Sequence, residues 1–246
     1  MSDLDAILAG SQRNSEHRAR DQYRQPKETL TFSGLQPDMN GVEIWPITGW
    51  YTEIIAPYVR DQGALICPHF PKDHNEAWLR NQRAEFKNQF TSDPDLFGTP
   101  RVTDFCKGLY YYAPDAWADV ILTIRNVHNW MWGVYAEEVF DSFYRILKPG
   151  GVLGLEEHRG DPVNPRDPGA KDCYVREDTV IAFAEAAGLV VEDWSKINAN
   201  PRDTKDHPRG ALSLPPSLFE VQDNPGPYLA IGESDRTTLR FRKPIS

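Results

Sequence analysis

Short apolar segments of strand length alternate along most of the chain with longer segments in which apolar residues recur at helical spacing. A strand followed by a helix and a second strand builds a parallel βαβ unit, so the alternation predicts an α/β fold around a mainly parallel sheet. Residues 119–124 are rich in β-branched side chains, which is typical of a strand buried on both faces. The predicted strands are 41–46, 64–70, 102–106, 119–124, 152–156 and 189–194, and the predicted helices between them are 50–58, 75–90, 135–147 and 176–187.

The two ends of the chain differ from this alternating core. Residues 1–25 are polar and predict one helix on the outside of the domain, and Pro26 at a first helical position predicts a second, short helix. Residues 237–242 alternate between apolar and polar side chains, which predicts an antiparallel hairpin strand, and we expect no helix after residue 225. The predicted divisions are an N-terminal helical extension, 1–36, and an α/β domain, 37–246.

Charge and composition exclude several classes of function. Acidic residues outnumber basic ones by 36 to 27, which gives a formal charge of −9 and is not expected of a protein that binds nucleic acid. The chain has no run of about 18 apolar residues, so no transmembrane helix or membrane partner is predicted. The N-terminal segment lacks the cationic and apolar parts of a secretory signal, so we expect a cytoplasmic protein. A homodimer is compatible with the sequence.

The cysteines and histidines do not have the spacing of a structural metal site. Cys67, Cys106 and Cys173 are far apart in the sequence and odd in number, which indicates reduced thiols rather than a disulfide framework. The sequence contains no H-x-H, H-x-x-E-H or C-x-x-C pattern. We therefore predict no metal site.

Three of the six histidines follow predicted strands. Ligands bind beyond the carboxyl ends of the strands in an open α/β sheet, so these histidines are expected at the edge that holds the site, unless they are structural groups. His128 and His158 follow adjacent core strands, and an imidazole with a pKa of about 6.5 exchanges protons at neutral pH. The charged loop 203–209 is either a solvated surface loop or a lid over the strand ends. The candidate catalytic residues are His128, His158, Arg125, Glu157 and His207.

A Leu-Lys-Pro-Gly-Gly-Val turn at 147–152 precedes a predicted strand. Together with the order of the elements, this turn resembles the class I S-adenosylmethionine-dependent methyltransferases. The segments 42–46, 125–130 and 231–236 are similar, more narrowly, to a bacterial family of predicted methyltransferases, and the resemblance runs from about residue 20 onward. It implies a Rossmann-like fold with a seven-stranded, mostly parallel sheet and S-adenosylmethionine as the cofactor. The cofactor-binding residues that it implies are Glu43, Gly49, His69, Asp104, Phe105 and Asn126.

The sequence departs from the pattern of these methyltransferases at two places. Their fingerprint is acid-x-Gly-x-Gly-x-Gly, and its glycine positions, aligned from Glu43, hold Trp45, Ile47 and Gly49. Glycine lets the backbone take positive φ and approach a ligand, whereas a β-branched Ile47 adds bulk and disfavours positive φ. The second strand ends in His69 instead of the acidic residue that binds the ribose hydroxyls. Both departures are expected to weaken cofactor binding.

Two enzymatic functions remain open at this stage. In the first, S-adenosylmethionine donates a methyl group to a small apolar or aromatic acceptor that a histidine deprotonates. In the second, the fold has lost its cofactor, and His128 and His158 carry out acid–base chemistry as in a lyase, isomerase or hydrolase. A third alternative is a non-catalytic binding protein. The predicted substrate-binding residues are the aromatic side chains of Tyr23, Trp50, Tyr51, Trp130 and Trp132.

Overall fold

A seven-stranded sheet forms the centre of the protein, for which a computed structural model describes residues 3–165 and 167–245. Its strands are β1 Asn40–Ile44, β2 Ala64–His69, β3 Arg101–Asp104, β4 Ala118–Ile124, β5 Leu147–His158, β6 Val190–Ser195 and β7 Arg236–Arg242. They lie in the order β3-β2-β1-β4-β5-β7-β6. Neighbours from β3 to β5 pair in parallel, and β7 pairs antiparallel with both β5 and β6. The predicted mostly parallel sheet with an antiparallel C-terminal strand is confirmed.

Helices cover both faces of the sheet. They are α1 Leu4–Leu8, α2 Ser15–Ala19, α3 Asp21–Arg24, α4 Pro26–Phe32, α5 Thr52–Val59, α6 Ala77–Thr91, α7 Pro94–Phe97, α8 Val127–Gly133, α9 Ala136–Ile146, α10 Glu177–Ala186 and α11 Gly226–Ile231. The alternation of side chains along β4 shows how the strand supports both layers. Ile121 packs with the apolar residues of α8 and α9, whereas Val120 and Leu122 pack with those of α5 and α6.

The N-terminal segment differs from the single outer helix that the sequence predicts. Three short helices take its place, because the Asn14 side chain accepts a hydrogen bond from a backbone N–H of α2 and so starts a new helix. Gln25, with φ of 38°, ends α3 directly before Pro26 opens α4. Arg13 and Arg24 are buried, whereas α1 and α2 contribute no buried residue.

Two further helices occur where the sequence indicated none. None of the predicted helices covers the stretch directly after β4, but Val127, Trp130 and Met131 are spaced to bury one face of α8. The prediction of no helix after residue 225 is also wrong, because α11 begins with Pro227 in its first turn and ends at Gly232. Among the described residues, no helix combines the length and apolar character that crossing a membrane requires.

Candidate active site

The neighbouring ends of β4 and β5 bring His128 and Glu157 together. The strands pair in parallel as far as Ile124 and Glu156, so the residues that follow them meet at one edge. The backbone N of His128 donates to Glu157 Oε2 at 3.2 Å, and its Nδ1 donates to Oε1 at 2.9 Å. Because a carboxylate only accepts, Nδ1 carries the proton and Nε2 is an acceptor, to which the Asn129 amide donates at 3.1 Å.

His158 lies beside this pair, with its ring centroid 5.3 Å from that of His128. Its Nδ1 is 2.5 Å from Ser234 Oγ, and its ring is edge-on to Tyr174. Burial lowers the pKa of His158 well below its usual value, and the positive charges of nearby groups, Arg125 among them, lower it further. The imidazole of His158 is therefore neutral at neutral pH.

A second histidine–carboxylate pair stands on the loop between β6 and β7. His207 Nε2 donates to Asp203 Oδ1 at 2.9 Å, and the Asp203 carboxylate is fully buried. The same carboxylate accepts hydrogen bonds from the Tyr174 hydroxyl at 2.9 Å and from the backbone N of Asp235 at 2.7 Å. These donors fix the carboxylate in one position, and with it the orientation of the His207 ring.

Both pairs open on one cavity of about 590 Å³. Its walls come from α8, from residues 170–173 and from residues 207–212, so the 203–209 loop borders the cavity instead of standing free in solvent. Trp132, which is 74% exposed, forms one wall. Cys173 forms part of another, and burial raises the pKa of its thiol to about 12, which keeps it protonated at neutral pH.

His128, Glu157 and His158 also offer three metal-ligating atoms within 4.8 Å of one another. The sequence predicted no metal site, because residues 29 positions apart form no local ligand motif. The charges of Arg125, Arg236 and Arg24 act on His158 and oppose a cation at this place.

The loop after β1 is closed by its own hydrogen bonds and packing. Thr52 Oγ1 donates to the buried carboxyl of Glu43 at 2.6 Å, and burial raises the pKa of Glu43 to about 8. The backbone N of Phe70 donates to His69 Nδ1, so His69 Nε2 carries the proton and donates to Ile47 O at 3.2 Å. Burial lowers the pKa of His69 to about 4, which keeps this ring neutral.

Aromatic side chains fill the space next to this loop. The Trp45 indole Nε1 donates to the carbonyl oxygen of Phe105 at 3.2 Å. Its ring centroid lies 5.0 Å from that of Phe70, 5.3 Å from that of Phe105 and 6.2 Å from that of Trp130. Contacts at these distances are those of a packed aromatic core, and they leave Trp45 9% exposed.

No protein-family model and no curated protein sequence matches the chain. Solved structures match over nearly its whole length. A SAM-dependent methyltransferase from Aquifex aeolicus superposes with a TM-score of 0.62 at 13% identity, over 99% of this chain and 100% of that chain. The [4+2]-cyclase SpnF superposes with a TM-score of 0.64 at 17% identity, over 99% of this chain and 92% of that chain. The N-methyltransferase NodS from Bradyrhizobium japonicum superposes with a TM-score of 0.54 at 14% identity, over 94% of this chain and 98% of that chain. The chain has the class I S-adenosylmethionine-dependent methyltransferase fold.

Within this methyltransferase fold, the loop after β1 keeps the backbone shape that glycines favour. Trp45, Ile47 and Gly49 have φ of 45°, 57° and 81°, so Ile47 adopts the positive φ that its side chain disfavours. Glu43, His69, Phe105 and Asn126 are buried, and none of them lines the cavity beside His128.

The remaining predicted residues lie in different surroundings. Asn126 donates to Ile44 O at 3.0 Å, and Asp104 forms an ion pair with Arg83 at 2.8 Å at the β3 edge of the sheet. Trp132 alone among the five predicted aromatic residues belongs to the cavity wall. Trp130 is in the core against α9, Trp50 and Tyr51 are buried beneath the N-terminal helices, and Tyr23 contacts Gly232.

Sequence reasoning missed Asp203, Tyr174 and Ser234, which orient the predicted histidines. One signal was available for Asp203, because it stands four residues before His207 in a segment already selected for its charge. Ser234 falls within the segment 231–236 that carries the resemblance, but no local pattern at Ser234 or Tyr174 predicts their contacts, since loops bring them to the site from distant parts of the chain.

Proposed function

We propose that the protein is an enzyme in which His128, oriented by Glu157, removes a proton from a small molecule bound in the 590 Å³ cavity. One observation carries the proposal: each of the two histidines that line this cavity is hydrogen-bonded to a buried carboxylate. A carboxylate behind an imidazole fixes its tautomer and stabilises the imidazolium that proton transfer creates.

The two pairs support separate roles in one reaction. His128 Nε2 is the unprotonated nitrogen of its ring, and it accepts the proton from the substrate after the Asn129 amide releases the hydrogen bond to its single lone pair. His207 binds Asp203 through Nε2, which leaves its Nδ1 without a partner among the described residues. His207 returns a proton from Nδ1 when its ring is the imidazolium, a charge that the buried Asp203 carboxylate stabilises. Abstraction of a proton beside a carbonyl group, as in an isomerase or lyase, is the reaction class that two such groups serve without a cofactor.

Methyl transfer from S-adenosylmethionine is the second candidate. It is favoured by the methyltransferases that superpose on 94–99% of the chain, and His128 would deprotonate the acceptor in this case as well. The cyclase SpnF has the same fold, which supports keeping both candidates. A small acceptor fits the cavity volume, and Trp132 and Leu212 on its wall favour an apolar or aromatic one. Cytoplasmic location and a homodimer stay predictions.

Hydrogen–deuterium exchange tests proton abstraction directly. A panel of ketones and 2-oxo acids is incubated with the protein in D₂O, and loss of the proton beside the carbonyl is followed by NMR. We expect exchange above the buffer rate and a loss of about 10²- to 10⁴-fold in His128→Gln. His17→Gln is the matched control, because His17 also donates to a buried glutamate, Glu53, but does not line the cavity.

Retention of exchange in a folded His128→Gln variant would remove His128 from the proposed role. Calorimetry with S-adenosylmethionine and S-adenosylhomocysteine separates the two candidates. Micromolar binding together with no exchange on any panel member would establish methyl transfer as the better function. Absence of binding heat at millimolar S-adenosylmethionine and S-adenosylhomocysteine would exclude methyl transfer.

A further inference from the structure

Three arginines surround the buried carboxylate of Glu233, which lies just before β7. Arg20 Nε lies 2.7 Å from it, Arg24 Nε 3.0 Å, and Arg236 Nη1 3.4 Å. These residues come from α2–α3 and from the start of β7, so the carboxylate joins the N-terminal segment to the sheet. Arg236 also contacts Glu156 at 2.7 Å.

A fourth arginine, Arg125, stands next to this group. The charges of Glu233 and Glu156 act on it, but it forms no close ion pair with a described carboxylate. It follows β4 directly, and no described carboxylate or carbonyl accepts a hydrogen bond from its guanidinium. The arginine cluster (Arg20, Arg24, Arg125 and Arg236) thus contains four cations, against two carboxylates, Glu233 and Glu156. Each of the four has a buried N–H donor with no acceptor: Arg20 Nη2, Arg24 Nη2, Arg125 Nε and Arg236 Nε.

The excess of positive charge perturbs the groups around it. Burial and the charge of Arg125 lower the pKa of Arg24 to about 9. Burial alone would raise the pKa of Glu233, but the charges of the four arginines lower it to about 2. An uncompensated buried cation is costly, and an anion that brings acceptor oxygens to the vacant donors removes much of that cost.

We propose that the arginine cluster binds an oxyanion, a carboxylate or phosphate group of the substrate whose reacting carbon lies at His128. The position supports this, because the backbone N of Arg125 donates to Glu156 O at 2.7 Å and Arg236 lies opposite His158 in the pairing of β5 with β7. Both arginines therefore stand at the strand ends that carry His158, whose ring centroid is 5.3 Å from that of His128. The Arg20 side chain is 23% exposed, whereas those of Arg24 and Arg236 are buried, so Arg20 is the member of the three that faces solvent. Anion binding by the cluster does not depend on the proposed proton transfer. Only the assignment of that anion to the substrate rests on the proposed function.

Binding is tested with inorganic phosphate and with acetate, against chloride at constant ionic strength. The readouts are the shift in melting temperature and the dissociation constant from calorimetry. We expect phosphate or acetate to raise the melting temperature. The anion with the lower dissociation constant identifies the type of oxyanion that the cluster binds. Arg125→Gln is expected to weaken binding of that anion about tenfold or more. Arg125→Lys keeps the charge but loses the planar fork of donors, so it should weaken anion binding less. Arg145→Gln, which removes a surface partner of Asp115, is the control.

Melting temperatures in anion-free buffer provide a second criterion. Removal of an unpaired buried cation leaves the melting temperature of Arg125→Gln unchanged or raises it. A lower melting temperature with undiminished phosphate and acetate binding would make Arg125 a structural residue and overturn the proposal, as would a wild-type protein that binds neither anion. His128→Gln must bind the anion as the wild type does, so failure of the proposed proton transfer is distinguishable from failure of this inference.

Discussion

Two buried glutamates near the site, Glu157 and Glu43, differ in the hydrogen-bond donors around their carboxyl groups. Glu157 accepts hydrogen bonds from two backbone N–H groups and from the His128 ring, as the partner of a base does. Glu43 has one donor, Thr52, and burial raises its pKa to about 8. The two carboxyl groups therefore differ in their surroundings: three donors hold Glu157 in place, whereas Glu43 has one donor and burial favours its neutral form.

Glu43→Gln is expected to change the pH dependence of stability. The folded chain holds the Glu43 proton up to a pH of about 8, whereas the unfolded chain releases it near a pH of about 4.3, so this group lowers the free energy of unfolding as pH rises between those values. Relative to wild type, the variant should gain about 3 kcal/mol between pH 5 and pH 7.5 in urea unfolding. Glu85→Gln on the exposed face of α6 is the control and should show no such gain. Equal effects of Glu43→Gln at both pH values would mean that Glu43 is ionised.

At the scale of elements, the loop after β1 is fixed by α6. A Cβ on Gly49 would lie 2.1 Å from Phe90 Cε2 and 3.2 Å from Phe86 Cε2, and the backbone there has φ of 81°. The glycine at this fingerprint position is therefore required by packing against a helix, independently of any ligand.

Gly49→Ala is expected to destabilise the fold by about 2 to 4 kcal/mol, from backbone strain together with overpacking. Gly34→Ala isolates the backbone part, because Gly34 has φ of 74° and nothing within 4 Å of its Cβ position, and should cost about 1 kcal/mol. Phe90→Leu in the Gly49→Ala background should recover part of the loss in a double-mutant cycle. Additive effects of the two substitutions would mean that Phe90 does not limit the space.

The sequence predicts elements well where one face must be buried, and poorly where contacts come from elsewhere in the chain. The β-branched run at 119–124 indicated β4, and the expected adjacency of β4 and β5 brings His128 and His158 together. The packing of Trp45 was not predictable, since alignment identifies a fingerprint position but not the direction of its side chain. Asp203 stands on a loop without periodicity, so its contact with Tyr174 follows from tertiary structure alone.

At the scale of the whole molecule, Glu233 connects parts of the chain that are more than 200 residues apart. It holds Arg20 and Arg24 of the N-terminal segment against the start of β7. The N-terminal segment therefore covers part of the charged interior beside His158.

Glu233→Gln is expected to loosen this connection. Removal of one partner from a buried ion-pair network costs about 3 to 5 kcal/mol, because the arginines lose their counter-ion. Trypsin should then cut within the first 25 residues faster than in the wild type, which mass spectrometry follows over time. Asp5→Asn removes an exposed ion pair with Lys27 and is the control. Unchanged cleavage in Glu233→Gln would show that apolar packing alone holds the segment.

The place of β7 between β5 and β6 has a consequence for biosynthesis. On the ribosome, β6 is made before β7, yet β7 is its neighbour in the sheet, so β6 has no strand to pair with until β7 has emerged. Glu233, Asp235 and Arg236, which complete the charged surroundings of the histidines, emerge at the same stage. Nascent chains that stop short of β7 therefore lack both the sheet edge and the assembled candidate site, which couples formation of that site to completed synthesis of this strand.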